Sequence, residues 1–508
     1  MSKVAILYKK LHKWPGLIIS FILLYYGITG IFMNHRELFS GIDISRKILP
    51  RNYEYNNWNN AALKGNVLIG NDSILVYGNI GIWLTDSSFS KFTSFNNGFP
   101  EGSDNRKIFD IHKDKNGELY AATLFGLYAY DKTALKWKRF ELQGKNERFV
   151  GIESIGDTLY AINRSYLFKG KSTGLNARFT RLELPAPEGY VNKISLFSTI
   201  WQIHSGEIFG LPGKIFVDLL GIITIFLSVT GIIYFFFPGW LKHKSKKGKP
   251  VEKIARINRW SLRWHNKVGA WTFALLIILF FTGMFLRPPL LITIANAEVS
   301  PLKYSHLDQP NPWYDKLRDI LYDPDRDILL ISTSEGMYFT EINHLQPFRF
   351  PHQPLVSVMG INTFKPYEKG AFLIGSFSGL FLWHPDYPEI YNFATGSIYQ
   401  DSSSGRPVGD SKVTGTLTSC NGELYMVDYN KGVLPIGNAK PIPSIPSNVV
   451  EESKMSLWNV CLEVHTGRFF QNIVGVFYIL IVPLTGLVAI MVVLSGYLLW
   501  RKKYRFNS

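Results

Sequence analysis

Four apolar runs, roughly residues 17–34, 213–238, 268–287 and 470–500, constrain this chain more than any other feature. Each reaches or exceeds the roughly 20 residues that cross about 30 Å of hydrocarbon. Backbone in hydrocarbon must satisfy its own hydrogen bonds, so each run predicts a transmembrane helix. A histidine stands at the leading end of every run. Leu11-His12-Lys13-Trp14-Pro15-Gly16 opens the first, and Trp264-His265-Asn266-Lys267-Val268-Gly269 opens the third. Ile203-His204-Ser205-Gly206-Glu207-Ile208-Phe209 precedes the second, and Val464-His465-Thr466-Gly467-Arg468-Phe469-Phe470 precedes the fourth. The pattern reads as one two-helix unit duplicated.

Charge sets a direction. The net charge is +16, and much of the basic excess flanks the apolar runs. That placement suits a membrane surface and argues against nucleic acid. Lys3, Lys9, Lys10 and Lys13 precede the first run. Nine Lys and Arg residues from Lys242 to Arg263 fill the loop between the second and third, and Arg501, Lys502, Lys503 and Arg505 follow the fourth. The positive-inside rule makes these regions cytoplasmic, with both termini inside. The first run ends in Asn34-His35-Arg36-Glu37 and lacks a small-residue cleavage site, so it reads as an anchor and not a signal peptide. Two cysteines, Cys420 and Cys461, build neither a disulfide framework nor a zinc site, although a single bridge between them is open.

The 508 residues then divide as follows. Residues 1–40 hold the first transmembrane helix and 41–195 a first periplasmic β segment. Residues 196–240 hold a periplasmic helix and the second transmembrane helix, 241–264 the basic loop, and 265–290 the third transmembrane helix. Residues 291–452 form a second β segment, and 453–508 hold a periplasmic helix, the fourth transmembrane helix and the tail. In the β segments, short strands such as Gly117-Glu118-Leu119-Tyr120-Ala121 and Gly422-Glu423-Leu424-Tyr425-Met426 recur at 40–51 residues, the period of propeller blades. Each segment supplies about three. Three blades cannot close a ring, so the expectation is one shared β-propeller-like domain of about six blades, with two separate β-domains as the alternative. His112, His306, His344, His352 and His384 have no metal-ligand spacing and are expected at the surface or in turns.

Five histidines flank the runs: His12, His35, His204, His265 and His465. A twofold axis along the membrane normal would bring His12 toward His265, and His204 toward His465. An apolar helix face carrying one imidazole suits an axial ligand to haem, which needs greasy walls and a nitrogen donor. Two bis-histidine sites are expected, one near each membrane face. His35 has Pro288 as its counterpart and breaks the symmetry; it could replace an outer ligand or sit near an outer substrate. Thr29-Gly30, Thr230-Gly231, Thr282-Gly283 and Thr485-Gly486 put a Thr-Gly pair in every run. Such pairs either let helices approach closely or leave room for a flat cofactor. No acidic residue is expected within the apolar cores.

These motifs resemble the PepSY-associated transmembrane family, iron-regulated inner-membrane proteins of bacteria. The resemblance rests on His12-Lys13-Trp14-Pro15-Gly16-Leu17, His204-Ser205-Gly206 with Gly210-Leu211-Pro212-Gly213, His265 with Gly269, His465-Thr466-Gly467-Arg468, the four Thr-Gly pairs and the closing Trp500-Arg501-Lys502-Lys503. The family includes di-haem reductases of ferric siderophores. The resemblance therefore implies two b-type haems on His12, His204, His265 and His465, with ferric iron, as a siderophore or other ferric chelate, reduced in the periplasm. It also implies outer segments of α+β type, from which these β segments depart, leaving the substrate open. No dinucleotide fingerprint occurs, so a separate protein, quinol or other carrier must donate electrons, and siderophore-uptake proteins are natural partners. Two other readings stand: a non-redox binding or sensor module anchored by four helices, and a siderophore transporter.

Overall fold

The structure is a computed structural model and describes residues 3–142, 148–354, 360–399, 409 and 411–505. The side chains of Lys3, Lys503 and Arg505, counted above among the basic flanks, lie outside the described residues. The chain forms two compact units. One contains residues 1–39, 192–309 and 457–508, and the other residues 40–191 and 310–456.

Among the described residues of the first unit four helices are long and apolar enough to cross a membrane: Val4–Asn34, Glu207–Lys246, Glu252–Met284 and Arg468–Lys502. They pack as a ring, each against the two beside it: first on second, second on third, third on fourth, fourth on first. Large apolar side chains such as Ile18, Phe21, Ile222, Ile278 and Leu487 point outward, as lipid-facing residues do. A bilayer surrounds such a bundle. The second apolar run does contain an acidic residue, Asp218, contrary to the expectation above.

Two short helices, Leu196–Ser205 and Leu457–His465, each end on a histidine or one residue past it. Gly206 and Gly467 then take left-handed φ values of 78° and 77°. Glycine adopts this conformation without the Cβ clash that other residues meet, so the His-x-Gly motif stops each helix just after its imidazole. At Gly206 the fold also requires a bare backbone: a Cβ there would stand 2.1 Å from the Gly213 carbonyl oxygen. The first short helix packs on the third span and the second on the first span.

Among its described residues the second unit holds, besides a two-stranded pairing of Asp43–Ile44 with Met455–Ser456, six small antiparallel sheets, five of four strands and one of three, with three from each stretch of chain. The sheets begin with strands Gly65–Gly70, Ile108–Lys113, Phe149–Ile155, Leu317–Asp323, Thr363–Glu368 and Val413–Thr418. Hydrogen-bonded ladders stay within each sheet, and no sheet among the described residues closes on itself. Each first strand lies beside the next in that order, and Val413–Thr418 lies beside Gly65–Gly70. Apolar side chains fill the spaces between sheets, for example Leu75, Ile82, Ile108 and Trp137 between the first two. Trp58, Trp83, Trp137 and Trp383 are fully buried. Each satisfies its indole N–H on a carbonyl, those of Pro443, Ile80, Phe95 and His352 in turn. An indole can be buried at little polar cost only with such a partner.

Candidate functional site

The four predicted histidines meet in two pairs inside the bundle. His12 and His265 have ring centres 6.0 Å apart at 70°, and His204 and His465 have ring centres 6.3 Å apart at 61°. His12 and Thr29, which contacts His465, are 17 residues apart on one helix, about 26 Å at 1.5 Å per residue. The pairs therefore stand toward opposite ends of the bundle.

Each ring is held in the same manner. His12 Nδ1 is 2.9 Å from the Val492 carbonyl, and His204 Nδ1 is 3.0 Å from the Leu279 carbonyl. His265 Nδ1 is 3.0 Å from Thr230 Oγ1, and His465 Nδ1 is 2.9 Å from Thr29 Oγ1. Both hydroxyls already donate to their own helices, Thr230 to Phe226 and Thr29 to Tyr25, so toward histidine they accept. A carbonyl can only accept. All four Nδ1 atoms therefore carry the proton, and each Nε2 keeps its lone pair. Among the described residues none of these Nε2 atoms has a protein hydrogen-bond partner.

Glycines make the seats. A Cβ at Gly496 would lie 2.6 Å from His12 Cε1, and one at Gly283 would lie 2.9 Å from His204 Cε1. At Gly231 and Gly30 the corresponding contacts, to His265 and His465, are 3.4 and 3.5 Å. Three of the four Thr-Gly pairs thus serve imidazoles. Thr485-Gly486 does not: Gly486 faces Met284 and the Phe280 carbonyl in a helix crossing. The fourth seat is Ser495-Gly496, which the sequence reading missed because a serine replaces the threonine. A usable signal existed. Gly210 and Gly475, both with positive φ, stand 21 residues ahead of Gly231 and Gly496.

These pairs fit haem iron. Two imidazoles on one metal, each bonded at about 2 Å, place their ring centres about 6 Å apart. Protonated Nδ1 on a carbonyl or hydroxyl with Nε2 free is how ligating histidines are held. The imidazoles come in twos, and among the described residues no group of three or more His, Cys, Asp or Glu could hold a bare ion. A porphyrin would supply the remaining nitrogens.

His35 lies apart from both pairs. Its Nε2 is 2.6 Å from Asp218 Oδ2, and Asn34 Nδ2 donates to Asp218 Oδ1 at 2.9 Å and to the Ser205 carbonyl at 3.2 Å. The expected surface histidines are scattered, but His112 is not at the surface. Its side chain is 18% exposed on strand Ile108–Lys113, and its Nε2 is 2.8 Å from Ser154 Oγ. Burial pushes its pKa down to about 4. Nearby, Asp110 accepts from Tyr77 Oη at 3.2 Å and from the Ile152 N–H at 2.9 Å. Burial, helped by the charge of Asp110, raises Glu153 to about 7. Burial also lowers Lys365 to about 8 against the opposing pull of Asp110. Cys420 and Cys461 are both free thiols.

A family model described as the PepSY-associated TM region matches residues 9–237 and 239–503. No curated protein matches the chain. Solved structures match at low identity. The extracellular domain of the hybrid two component system BT4673 from B. thetaiotaomicron aligns at 11% identity and a TM-score of 0.34, covering 73% of this chain and 32% of that one. An ancestral GH74 enzyme aligns at 7% and 0.33, covering 74% and 36%. PorZ of the type-IX secretion system of Porphyromonas gingivalis aligns at 13% and 0.27, covering 74% and 31%. The chain spans about a third of the length of the first of these.

Proposed function

This chain belongs to the PepSY-associated TM region family, and from that premise we propose that it is a multi-pass electron-transfer protein of the bacterial inner membrane that reduces ferric iron, as a siderophore or other ferric chelate, in the periplasm. The single observation behind this reading is the two facing imidazole pairs with every Nδ1 satisfied and every Nε2 free. His12 with His265, and His204 with His465, would each hold one b-type haem. Haem supplies one-electron iron chemistry, with a potential set by its axial ligands and their burial. The chain's own part is to fix ring orientation through Thr29, Thr230, Leu279 and Val492, to clear space with four glycines, and to keep the imidazoles away from water.

Two sites toward opposite ends of the bundle suit passage of an electron across a bilayer. The Lys- and Arg-rich loop supports a cytoplasmic location for the His12–His265 end. Ferric iron is hard and held tightly by oxygen donors, whereas ferrous iron is held far less well, so one electron releases it. The six sheets, with their first strands in cyclic order, read as the blades of one propeller that receives the chelate or a partner protein. The donor is a separate protein or quinol.

A transporter reading gains from Asp218 and His35, an ionisable pair of the kind that marks ion pathways. It leaves both imidazole pairs without a purpose. Absorbance of the purified protein before and after dithionite, with haem counted per chain, separates the two. Two low-spin haems per chain are expected, with Fe(II) appearing when the reduced protein meets a ferric chelate. A colourless protein overturns the redox reading.

A further inference from the structure

The duplication is unequal at the end of the bundle that holds His204 and His465. Twenty-two residues after His12 and His265 stand Asn34 and Arg287; three residues after His204 and His465 stand Glu207 and Arg468. In the first repeat these groups are satisfied within the chain. Asn34 bonds Asp218 and the Ser205 carbonyl, and Glu207 pairs with Lys214 at 3.1 Å. In the second repeat they are not. Arg468 pairs with Glu463, but its Nε is buried with no acceptor. The Arg287 guanidinium has no ion-pair or hydrogen-bond partner among the described residues, although its carbonyl accepts from the Leu291 N–H. Arg468, Tyr478, Glu463 and Tyr26 are near enough for their charges to act on it. Arg468 takes the one carboxylate, Glu463, which leaves the charge of Arg287 uncompensated in a half-buried place, and such a charge is costly. Tyr26 ties this place to the site, since its ring packs 4.9 Å from that of His465.

We propose that Arg287 and Arg468 form an oxyanion site beside the His204–His465 pair, filled by a carboxylate of the bound porphyrin or by an oxyanion of the ferric chelate. The site rests on the haem reading above. Guanidinium suits it because its planar fork binds a carboxylate through two parallel hydrogen bonds. The first repeat, with Asn34 and Glu207 at the matching positions, offers no such site, so only one end of the bundle has it.

The test compares wild type, Arg287→Gln and the charge-keeping Arg287→Lys, each stripped and reloaded with haem or with haem dimethyl ester. If the anion is a porphyrin carboxylate, wild type and Arg287→Lys prefer the free acid over the ester by about 10–100-fold. Arg287→Gln then loses most of that preference, and its second midpoint potential falls. If the anion belongs to the chelate, all three proteins treat acid and ester alike. The KM for ferric citrate then rises about tenfold or more in Arg287→Gln, is rescued by Arg287→Lys, and is unchanged for an uncharged ferric chelate. Arg287→Gln that matches wild type in ester preference, potential and citrate KM overturns the site while the protein is still red. A colourless wild type sinks the haem reading and the porphyrin arm with it, and citrate binding to wild type and Arg287→Gln by calorimetry then decides the other arm.

Discussion

The imidazole of His12 lies against Gly496, where a Cβ in place of the glycine hydrogen would stand 2.6 Å from Cε1. That Cβ would also stand 2.9 Å from Nδ1, the atom held by the Val492 carbonyl one turn earlier on the same helix, so the ring cannot yield without losing that bond. Gly496→Ala is therefore expected to lower haem from two per chain to one while the helices stay folded, at an overpacking cost of about 1–3 kcal/mol. A pyridine haemochrome assay beside a helical circular-dichroism melt reads this out. Gly239→Ala, where a Cβ meets nothing within 4 Å, should change neither.

Thr29 and Thr230 each donate to their own helix and accept from a histidine. Thr29→Val should leave His465 in place but take away its hydroxyl partner. Second-layer losses of this kind typically weaken metal sites by about 10–100-fold. Faster haem transfer to an apo-globin acceptor, from one site only, is the expected result. Transfer rates equal to wild type would show that the hydroxyl does not orient the ring.

His35 pairs with Asp218 and with neither imidazole pair. His35→Ala and Asp218→Asn should both keep two haems per chain, whereas His465→Ala keeps one. Loss of a charge-assisted hydrogen bond should cost about 1–3 kcal/mol of stability, seen as a lower melting temperature in detergent. A haem count of one in His35→Ala would make His35 a ligand after all.

Glu153 is 15% exposed, and its pKa is raised from 4.5 to about 7, by burial first and by Asp110 second. The folded β unit therefore holds a proton that the unfolded chain has released over that window. Stability falls as pH rises from about 4.5 to about 7 and is level above it, by at most about 3 kcal/mol. Glu153→Gln should flatten this slope and stabilise the sheets at pH 8. The Ser154 and Tyr322 N–H groups donate to separate carboxylate oxygens, so the single amide oxygen of the glutamine can keep one of the two bonds. The β-sheet circular-dichroism transition at pH 5 and pH 8 measures it; equal slopes in the two proteins would refute the raised pKa.

The four membrane helices were legible because hydrocarbon tolerates little else. Runs of apolar residues with basic flanks need no knowledge of neighbours, and the pairing of His12 with His265 and of His204 with His465 followed from the duplication alone. The six small sheets were readable from their 40–51-residue spacing, since each is a local run of hairpins. The expectation for the fourth Thr-Gly pair failed for one reason. Whether Thr485-Gly486 or Ser495-Gly496 faces a histidine depends on which helix lies opposite, and a sequence carries no direct record of that. Asp218 is different: its presence in the second run is plain in the sequence, and only its partners His35 and Asn34 are set by the packing.

The sequence by itself determined which segments cross the membrane and which side chains could offer nitrogen to iron, because hydrophobicity and residue type are local properties. Tertiary structure alone decided that each Nδ1 is consumed by a carbonyl or hydroxyl on a neighbouring helix, leaving Nε2 as the free base. It also decided that Glu463 pairs with Arg468 and leaves Arg287 without an ion-pair partner. Proton positions and uncompensated charge depend on distances of a few ångströms between residues hundreds of positions apart, and only the packed bundle sets those.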